Sequence, residues 1–172
     1  KSTNKIKSFI IMMIACSSIL ISCKKTDPNP SSANLATGKS IITATVGGSG
    51  FSSSDLVSSA ARSSGILNIN GATASLPIQQ FLFVLPAEVP VGTYNFATSD
   101  DAVDGIMSVS YSKTDGSSSS GFAASNDRDN EFTLVVTKST ATEMEATFSG
   151  TLYNETTSTT TSVTNGKLAA KF

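Results

Sequence analysis

Histidine and tryptophan are absent from the 172 residues of this sequence, and cysteine occurs only at Cys16 and Cys23. Histidine is the usual general base and the commonest metal ligand, so its absence excludes a Ser-His-Asp triad and histidine-ligated metal sites. Because both cysteines precede residue 24, the rest of the chain has neither a disulfide nor a thiol nucleophile. No Gly-x-Ser-x-Gly motif occurs either. We therefore expect a protein that is not an enzyme.

Basic residues are scarce beyond the first few positions. Three of the twelve, Lys1, Lys5 and Lys7, precede the first apolar run. After position 22 there are nine basic against thirteen acidic residues, which gives a net charge of −4. Affinity for nucleic acid depends on Lys and Arg that neutralise phosphates, so this composition predicts no nucleic-acid partner.

The N-terminal segment has the pattern of a secretory signal. The three lysines are followed by residues 9–21, an apolar run of 13 residues without charge. A membrane-spanning helix needs roughly 20 such residues, and the shorter run is typical of the apolar core of a signal peptide. We predict a cleaved signal helix over residues 1–22.

The end of this run, Leu20, Ile21, Ser22 and Cys23, resembles the lipobox of bacterial lipoproteins. The resemblance implies that the Cys23 thiol accepts a diacylglycerol, that cleavage precedes it, and that its new amino group is acylated, for example with palmitate. Such chains contribute about 0.8 kcal/mol per buried methylene, so two or more of them anchor a protein durably to a bilayer. The alternative is an ordinary secretory leader with an incidental cysteine.

The residues that follow predict a tether and a location. Residues 23–39 are polar and include Pro28 and Pro30, which predicts a disordered tether behind the lipidated cysteine. Lys24 is not the aspartate that retains lipoproteins in the inner membrane, so we expect the outer membrane of a Gram-negative cell envelope, with its periplasmic and surface faces both open. Residues 40–172 then form a single domain.

That domain has the short alternating apolar runs of an all-β protein and no sustained helical period. We expect an antiparallel β-sandwich, with a partly open β-barrel as the alternative. The run 78–85 predicts a strand buried on both faces, 112–130 a long polar connection, and Asn165-Gly166 a β-bulge rather than a tight turn. The predicted strands are 40–46, 56–62, 66–70, 78–85, 93–96, 106–111, 131–138, 143–154 and 160–172.

From Ile42 onward the chain resembles a family of uncharacterised lipoproteins common in Bacteroidota. The resemblance covers most of the domain and supports its fold and location, but it implies no activity. The motifs that carry it are Thr43-Ala44-Thr45-Val46-Gly47, Gly65-Ile66-Leu67-Asn68-Ile69-Asn70-Gly71, Val91-Gly92-Thr93-Tyr94, Glu145-Ala146-Thr147-Phe148-Ser149-Gly150-Thr151-Leu152 and Val163-Thr164-Asn165-Gly166-Lys167-Leu168.

Two acidic clusters contain the oxygen ligands that calcium prefers. Neither has the EF-hand spacing, and charged loop tips are usually solvated, so we expect no cofactor and keep calcium at Asp127, Asp129 and Glu131 as the alternative. The full clusters are Asp100, Asp101 and Asp104, and Asp127, Asp129, Asn130 and Glu131.

Two further groupings keep a hydrolase open as an alternative function. Glu143 and Glu145 point to the same side of a predicted strand, about 7 Å apart, as a glycosidase pair would. The second grouping is a Ser-Lys dyad, which stays open although neither Lys113 nor Lys138 lies in a Ser-x-x-Lys motif with the motifs that accompany it in such enzymes. We expect these carboxylates to form a solvated face.

Four aromatic residues, Tyr94, Phe96, Tyr111 and Tyr153, could stack against a glycan or an apolar ligand, although strand aromatics more often belong to a core. Together these features predict an anchored, non-enzymatic envelope protein whose β-domain binds a glycan or a protein partner. A purely structural assembly role is a further alternative.

Overall fold

The computed structural model of the protein describes residues 30–96, 107–125 and 131–172. This part of the chain folds into β-strands and one turn of 3₁₀ helix at Ser32–Asn34, without any α-helix. A helix able to cross a membrane is likewise not found in these ranges. The predicted all-β class is confirmed. The strands are β1 (Lys39–Val46), β2 (Ser49–Ser52), β3 (Ser59–Ser63), β4 (Ile66–Ala72), β5 (Ile78–Pro86), β6 (Gly92–Asn95), β7 (Ser108–Asp115), β8 (Ser118–Ser125), β9 (Phe132–Ser139), β10 (Glu143–Asn154) and β11 (Thr159–Lys171).

These strands form one antiparallel sheet that curls into a half-barrel. Its main path runs β2-β1-β11-β10-β8-β7-β5-β4-β3, while β9 pairs with β10 and in turn with β6. The two ends of the path approach each other: the Ala60 amide donates to the Gly38 carbonyl (3.0 Å) and the Ser40 hydroxyl to that of Asn70 (2.6 Å). Of the two predicted arrangements, the half-barrel corresponds to the partly open barrel, because one curled sheet encloses the core without a second sheet.

β10 and β11 form a long hairpin that contains a bulge. The two strands pair along their length with one register shift, which lies between Phe148 and Gly150 on β10. Opposite this shift, Asn165 has a φ of +54°, a left-handed conformation that asparagine tolerates better than most residues. Because β11 continues on both sides of Asn165-Gly166, the predicted bulge is confirmed.

Apolar side chains fill the concave face of the sheet. The alternation predicted for β9 and β10 is observed, with Phe132 and Phe148 both pointing into the core. The Phe148 ring makes edge-to-face contacts with Phe81 and Phe83, at centroid distances of 5.6 and 5.0 Å. Within the described residues, the concave face of the half-barrel thus carries a packed apolar core.

β5 was predicted to be buried on both faces, which is only half correct. Phe81, Phe83 and Leu85 are buried, whereas Leu82 and Val84 on the opposite face are partly exposed. The physical reason is that a single-layer sheet covers only its concave side, so even a central strand keeps one face toward solvent.

The long connection predicted over 112–130 is wrong. β7 continues to Asp115, turns at Gly116, and returns as β8, which pairs with it from Ser118 to Ser125. Serine dominates this hairpin, and its apolar packing comes from Val109 and Tyr111 on β7 and from Phe122 and Ala124 on β8. Residues 126–130 lie outside the described ranges.

Gly150 should be indispensable at the bulge. Its φ is +146°, and an added Cβ would collide with the Glu131 carbonyl oxygen and the Phe132 Cα, backbone atoms of the neighbouring strand that cannot move aside. We expect Gly150→Ala to lower the free energy of unfolding by about 3 kcal/mol, measured by urea denaturation followed by circular dichroism. Gly50→Ala, where a Cβ meets no atom within 4 Å, is the control. Equal losses in both variants would contradict this account.

Candidate functional site

Three of the four candidate stacking aromatics are buried, so for them that prediction is wrong. Tyr94, Phe96 and Tyr111 are 9%, 1% and 5% exposed, respectively, because each lies on the inward side of its strand or turn. The Tyr94 hydroxyl donates to the Pro90 carbonyl and the Tyr111 hydroxyl to the Gln79 side-chain oxygen, each at 2.7 Å. Burial raises the pKa of both tyrosines. These residues belong to the core, and Tyr111 also lines part of the depression described below.

Tyr153 is the remaining candidate, and it lies half-buried on the outer face near the end of β10. Its cross-strand neighbours are Thr160 on β11 and Ala123 on β8, and Ala123 is in turn paired with Ser110 on β7. Alanine and serine are much smaller than tyrosine. The Tyr153 ring therefore forms one wall beside a floor of small side chains.

A depression of about 600 Å³, which we name the Tyr153 trough, occupies this floor. Small-molecule sites in proteins commonly have volumes between about 300 and 1,000 Å³. Among the described residues that line it, serines and threonines provide most of the polar side chains, and Glu155 provides a carboxylate. The lining comprises residues 108–112 of β7, 119–124 of β8 and 153–157 at the end of β10 and in the turn that follows.

The trough exists because β8 and β10 separate. One edge of β10 pairs with β9 as far as Gly150, which lies opposite Phe132. β8 pairs with β10 only at Tyr153, opposite Ala123. β10 then ends at Asn154, so the first half of β8 runs beside the β10–β11 turn without a ladder between them. Serines of β7 and β8 border this gap. In the sequence, only the alternation of Ser108 and Ser110 with apolar residues indicated that these serines share one face of a strand.

A second polar grouping, the Ser32 cluster, lies at the opposite end of β10 and comprises Ser32, Lys138, Glu143 and Glu145. The amide and hydroxyl of Ser32 both donate to the Glu145 carboxylate, at 2.8 and 2.7 Å. Lys138 forms an ion pair with Glu143 at 2.5 Å and donates to the Ser32 hydroxyl at 3.1 Å. Ser32 is fully buried and lies 113 residues from Glu145, so no local sequence signal could have identified it.

The charges of this cluster are opposite to those that a hydrolase would need. The hydrogen bond to Glu143 raises the pKa of Lys138, so the amine stays protonated and cannot take a proton from serine. Hydrogen bonds from Lys138 lower the pKa of Glu143, and those from Ser32 lower the pKa of Glu145, whereas a glycosidase acid needs a raised value. The solvated face expected for these carboxylates is wrong in part, because the segment around Ser32 covers them.

That segment also shortens the predicted tether. Residues 30–38 were predicted as part of a disordered stretch, yet Pro30 and Leu35 are buried and Ser32 is bound to β10. The Leu35 amide donates to the Ser32 carbonyl, which closes the 3₁₀ turn. A tether unattached to the domain can therefore include only residues that precede Pro30.

The calcium candidates lie almost wholly outside the described residues. Glu131 alone is described, with an exposed side chain and a carbonyl that accepts from the Thr151 amide at 2.9 Å. Across residues 30–96, 107–125 and 131–172 no group of three or more potential metal-binding side chains occurs. The candidates outside these ranges are Asp100, Asp101, Asp104, Asp127, Asp129 and Asn130.

The lipobox residues Leu20, Ile21, Ser22 and Cys23 are also outside the described ranges. Comparison of the chain with known protein families, curated proteins and solved structures found no match. The resemblance to Bacteroidota lipoproteins thus stays a prediction from the motifs.

Removal of the Ser32 hydroxyl should loosen the N-terminal segment. We expect Ser32→Ala to lower the free energy of unfolding by about 2 kcal/mol, because the buried hydroxyl that donates to the Glu145 carboxylate is lost. Urea denaturation measures the loss, and limited proteolysis reports release of residues 30–38. Asn34→Ala, at an exposed position of the same turn, is the control. An unaltered proteolysis rate for Ser32→Ala would contradict the role of this contact.

The same cluster should make stability depend on acid. Because the folded-state pKa values of Glu143 and Glu145 are lowered, their contribution is complete above the unfolded value of about 4.3 and is lost as pH falls through the folded values. We expect the free energy of unfolding to decrease as pH falls below about 4.3. Glu145→Gln keeps an acceptor but cannot titrate, so its decrease should be smaller. Parallel pH profiles for the two proteins would contradict this assignment.

Proposed function

We propose that this chain is an envelope lipoprotein in which lipidated Cys23 anchors a non-enzymatic, ligand-binding β-domain to the outer membrane. The Leu20-Ile21-Ser22-Cys23 motif and the preceding apolar run support the anchor. The observation that carries the binding role is the Tyr153 trough, a depression with the volume of a small-molecule site, whose lining combines tyrosine rings and other apolar side chains with serines and threonines.

The positions of the two groupings along β10 support this proposal. Glu145 holds the N-terminal segment, and Tyr153 follows eight residues later on the same strand, about 26 Å away at the rise of an extended chain. Six residues separate Cys23 from Pro30, and they can span at most about 25 Å. In the anchored protein, the end of the domain that holds the segment lies near the bilayer and the trough opens toward the far end.

The cysteine substitutions test the anchor directly. In bacteria that produce the whole chain, we expect Cys23→Ala to abolish incorporation of radiolabelled palmitate, because the acceptor thiol and the new amino terminus are both lost. Globomycin should cause accumulation of a heavier precursor of the unsubstituted protein. Cys16→Ala removes the other cysteine, which lies within the apolar run, and should leave labelling intact. Labelling that survives Cys23→Ala, or soluble secretion of the unsubstituted protein, would contradict the proposal.

A further inference from the structure

We propose that one end of the domain rests on the phospholipid bilayer in which Cys23 is anchored, through four exposed apolar residues. This inference rests on the anchor proposed above and names the surface by which the domain contacts the membrane. We name this surface the Val91 rim, and it comprises Ile66, Pro90, Val91 and Ala141.

The Val91 rim lies at one end of the half-barrel, on or beside the β3–β4 turn, the β5–β6 loop and the β9–β10 turn. The Ala87 amide donates to the Gly65 carbonyl at 2.9 Å, which joins the β5–β6 loop to the β3–β4 turn. Pro90 and Ala141 line one depression of about 290 Å³, so the same loop also lies beside the β9–β10 turn. The rim is therefore one continuous surface.

Val91 is held in an exposed position by contacts on both sides of it. Val89 is buried in the core, and the Tyr94 hydroxyl donates to the Pro90 carbonyl at 2.7 Å. β6 then begins at Gly92, and Val91 between these fixed points is 62% exposed. Because the loop is fixed, the valine cannot fold back onto the domain, and its apolar surface stays available to a partner.

Arg62 fixes the other side of the rim. Its guanidinium donates to the Thr140 and Ala141 carbonyls at 3.2 and 3.0 Å, and it lies 4.4 Å from the centroid of the Phe172 ring. These contacts hold β3 against the β9–β10 turn. The apolar side chains of the rim thus keep their relative positions, and they can enter an interface together with little loss of conformational entropy.

The rim also lies close to the place where the N-terminal segment is bound. A hydroxyl of that segment donates to Glu145, and the next residue of β10, Ala146, pairs with Val136 on β9. Val136 pairs in turn with Gly92, which directly follows Val91. Since neighbouring strands are about 4.8 Å apart, Gly92 lies about 10 Å from Ala146. Val91 and the bound segment are therefore at the same end of the domain.

The length of the chain before Pro30 selects the bilayer as the partner. Six residues separate Cys23 from Pro30, and they span at most about 25 Å. With the acyl chains of Cys23 in the membrane, so short a tether keeps the Val91 rim near the lipid surface. Contact is then an intramolecular event at high effective concentration, so a few apolar side chains suffice, although they would not recruit an unanchored protein.

Tryptophan is absent from the chain, so a single introduced tryptophan can report contact with lipid. The lipidated protein with Val91→Trp is reconstituted into phosphatidylcholine vesicles whose acyl chains carry bromine, which quenches indoles that reach them. We expect Val91→Trp to lose about half of its emission relative to unbrominated vesicles. Leu76→Trp is the matched control: Leu76 is 66% exposed in the β4–β5 loop, at the opposite end of β4 from the rim, and should keep its emission.

An indole itself favours the bilayer interface, so a second set of variants separates the reporter from the tested residue. The reporter is Ala141→Trp, at an exposed position of the same rim. Adding Val91→Asp should reduce its quenching about twofold, because a carboxylate opposes entry into the acyl region. Adding Leu76→Asp should leave the quenching unchanged. Both aspartates replace exposed side chains, so neither disturbs the core.

Flotation of the vesicles distinguishes failure of this inference from failure of the anchor. The inference is overturned if the protein floats with the vesicles while Val91→Trp and Leu76→Trp are quenched equally, or while Val91→Asp leaves the quenching of Ala141→Trp unchanged. In both cases the anchor stands. If the unsubstituted protein does not float with the vesicles, the anchor is wrong and the contact between rim and bilayer is wrong with it.

Discussion

A β-strand can form backbone hydrogen bonds along only two edges, and this fold depends on which strands pair with the two edges of β10. One edge is paired with β11 along the whole hairpin. The other is divided: β9 occupies it up to Gly150, and β8 meets it at Tyr153 alone. This division requires a glycine where β9 ends, because the backbone near Phe132 approaches too closely for any Cβ. It also separates β8 from the turn after Asn154, and the resulting gap becomes the trough.

The two ends of β10 serve different physical purposes. At the first end, ionic hydrogen bonds between the Ser32 segment and a pair of carboxylates hold the N-terminal part of the domain against the sheet. These hydrogen bonds outweigh the opposing effect of desolvation on the pKa values, so the lysine stays charged and the carboxylates stay ionised, which suits attachment rather than proton transfer. At the second end, the sheet opens around Tyr153. β10 stays in place at this second end because its other edge is paired with β11 as far as Asn154.

Much of the strand content was predictable because alternation is a local property. The inward residues of β9 and β10, such as Phe132 and Phe148, follow from period-two patterning, and the bulge at Asn165-Gly166 follows from a long strand that needs a long partner. β8 was missed because a solvated strand rich in serine has the composition of a loop. Whether Tyr94 and Tyr111 belong to the core or to a stacking surface stayed open, because alternation groups residues by face but does not say which face is covered.

The sequence by itself determined the all-β class, the positions of most strands, the absence of histidine chemistry and the lipobox-like motif at Cys23. All of these depend on composition or on residues close together in the chain. Only the tertiary structure decided that the sheet forms a half-barrel, that Ser32 binds Glu145 across 113 residues, and that the sheet opens beside Tyr153 to form a trough. Each of these results depends on which distant strands become neighbours. Local residue patterns do not determine that pairing, because every strand edge could pair with several others.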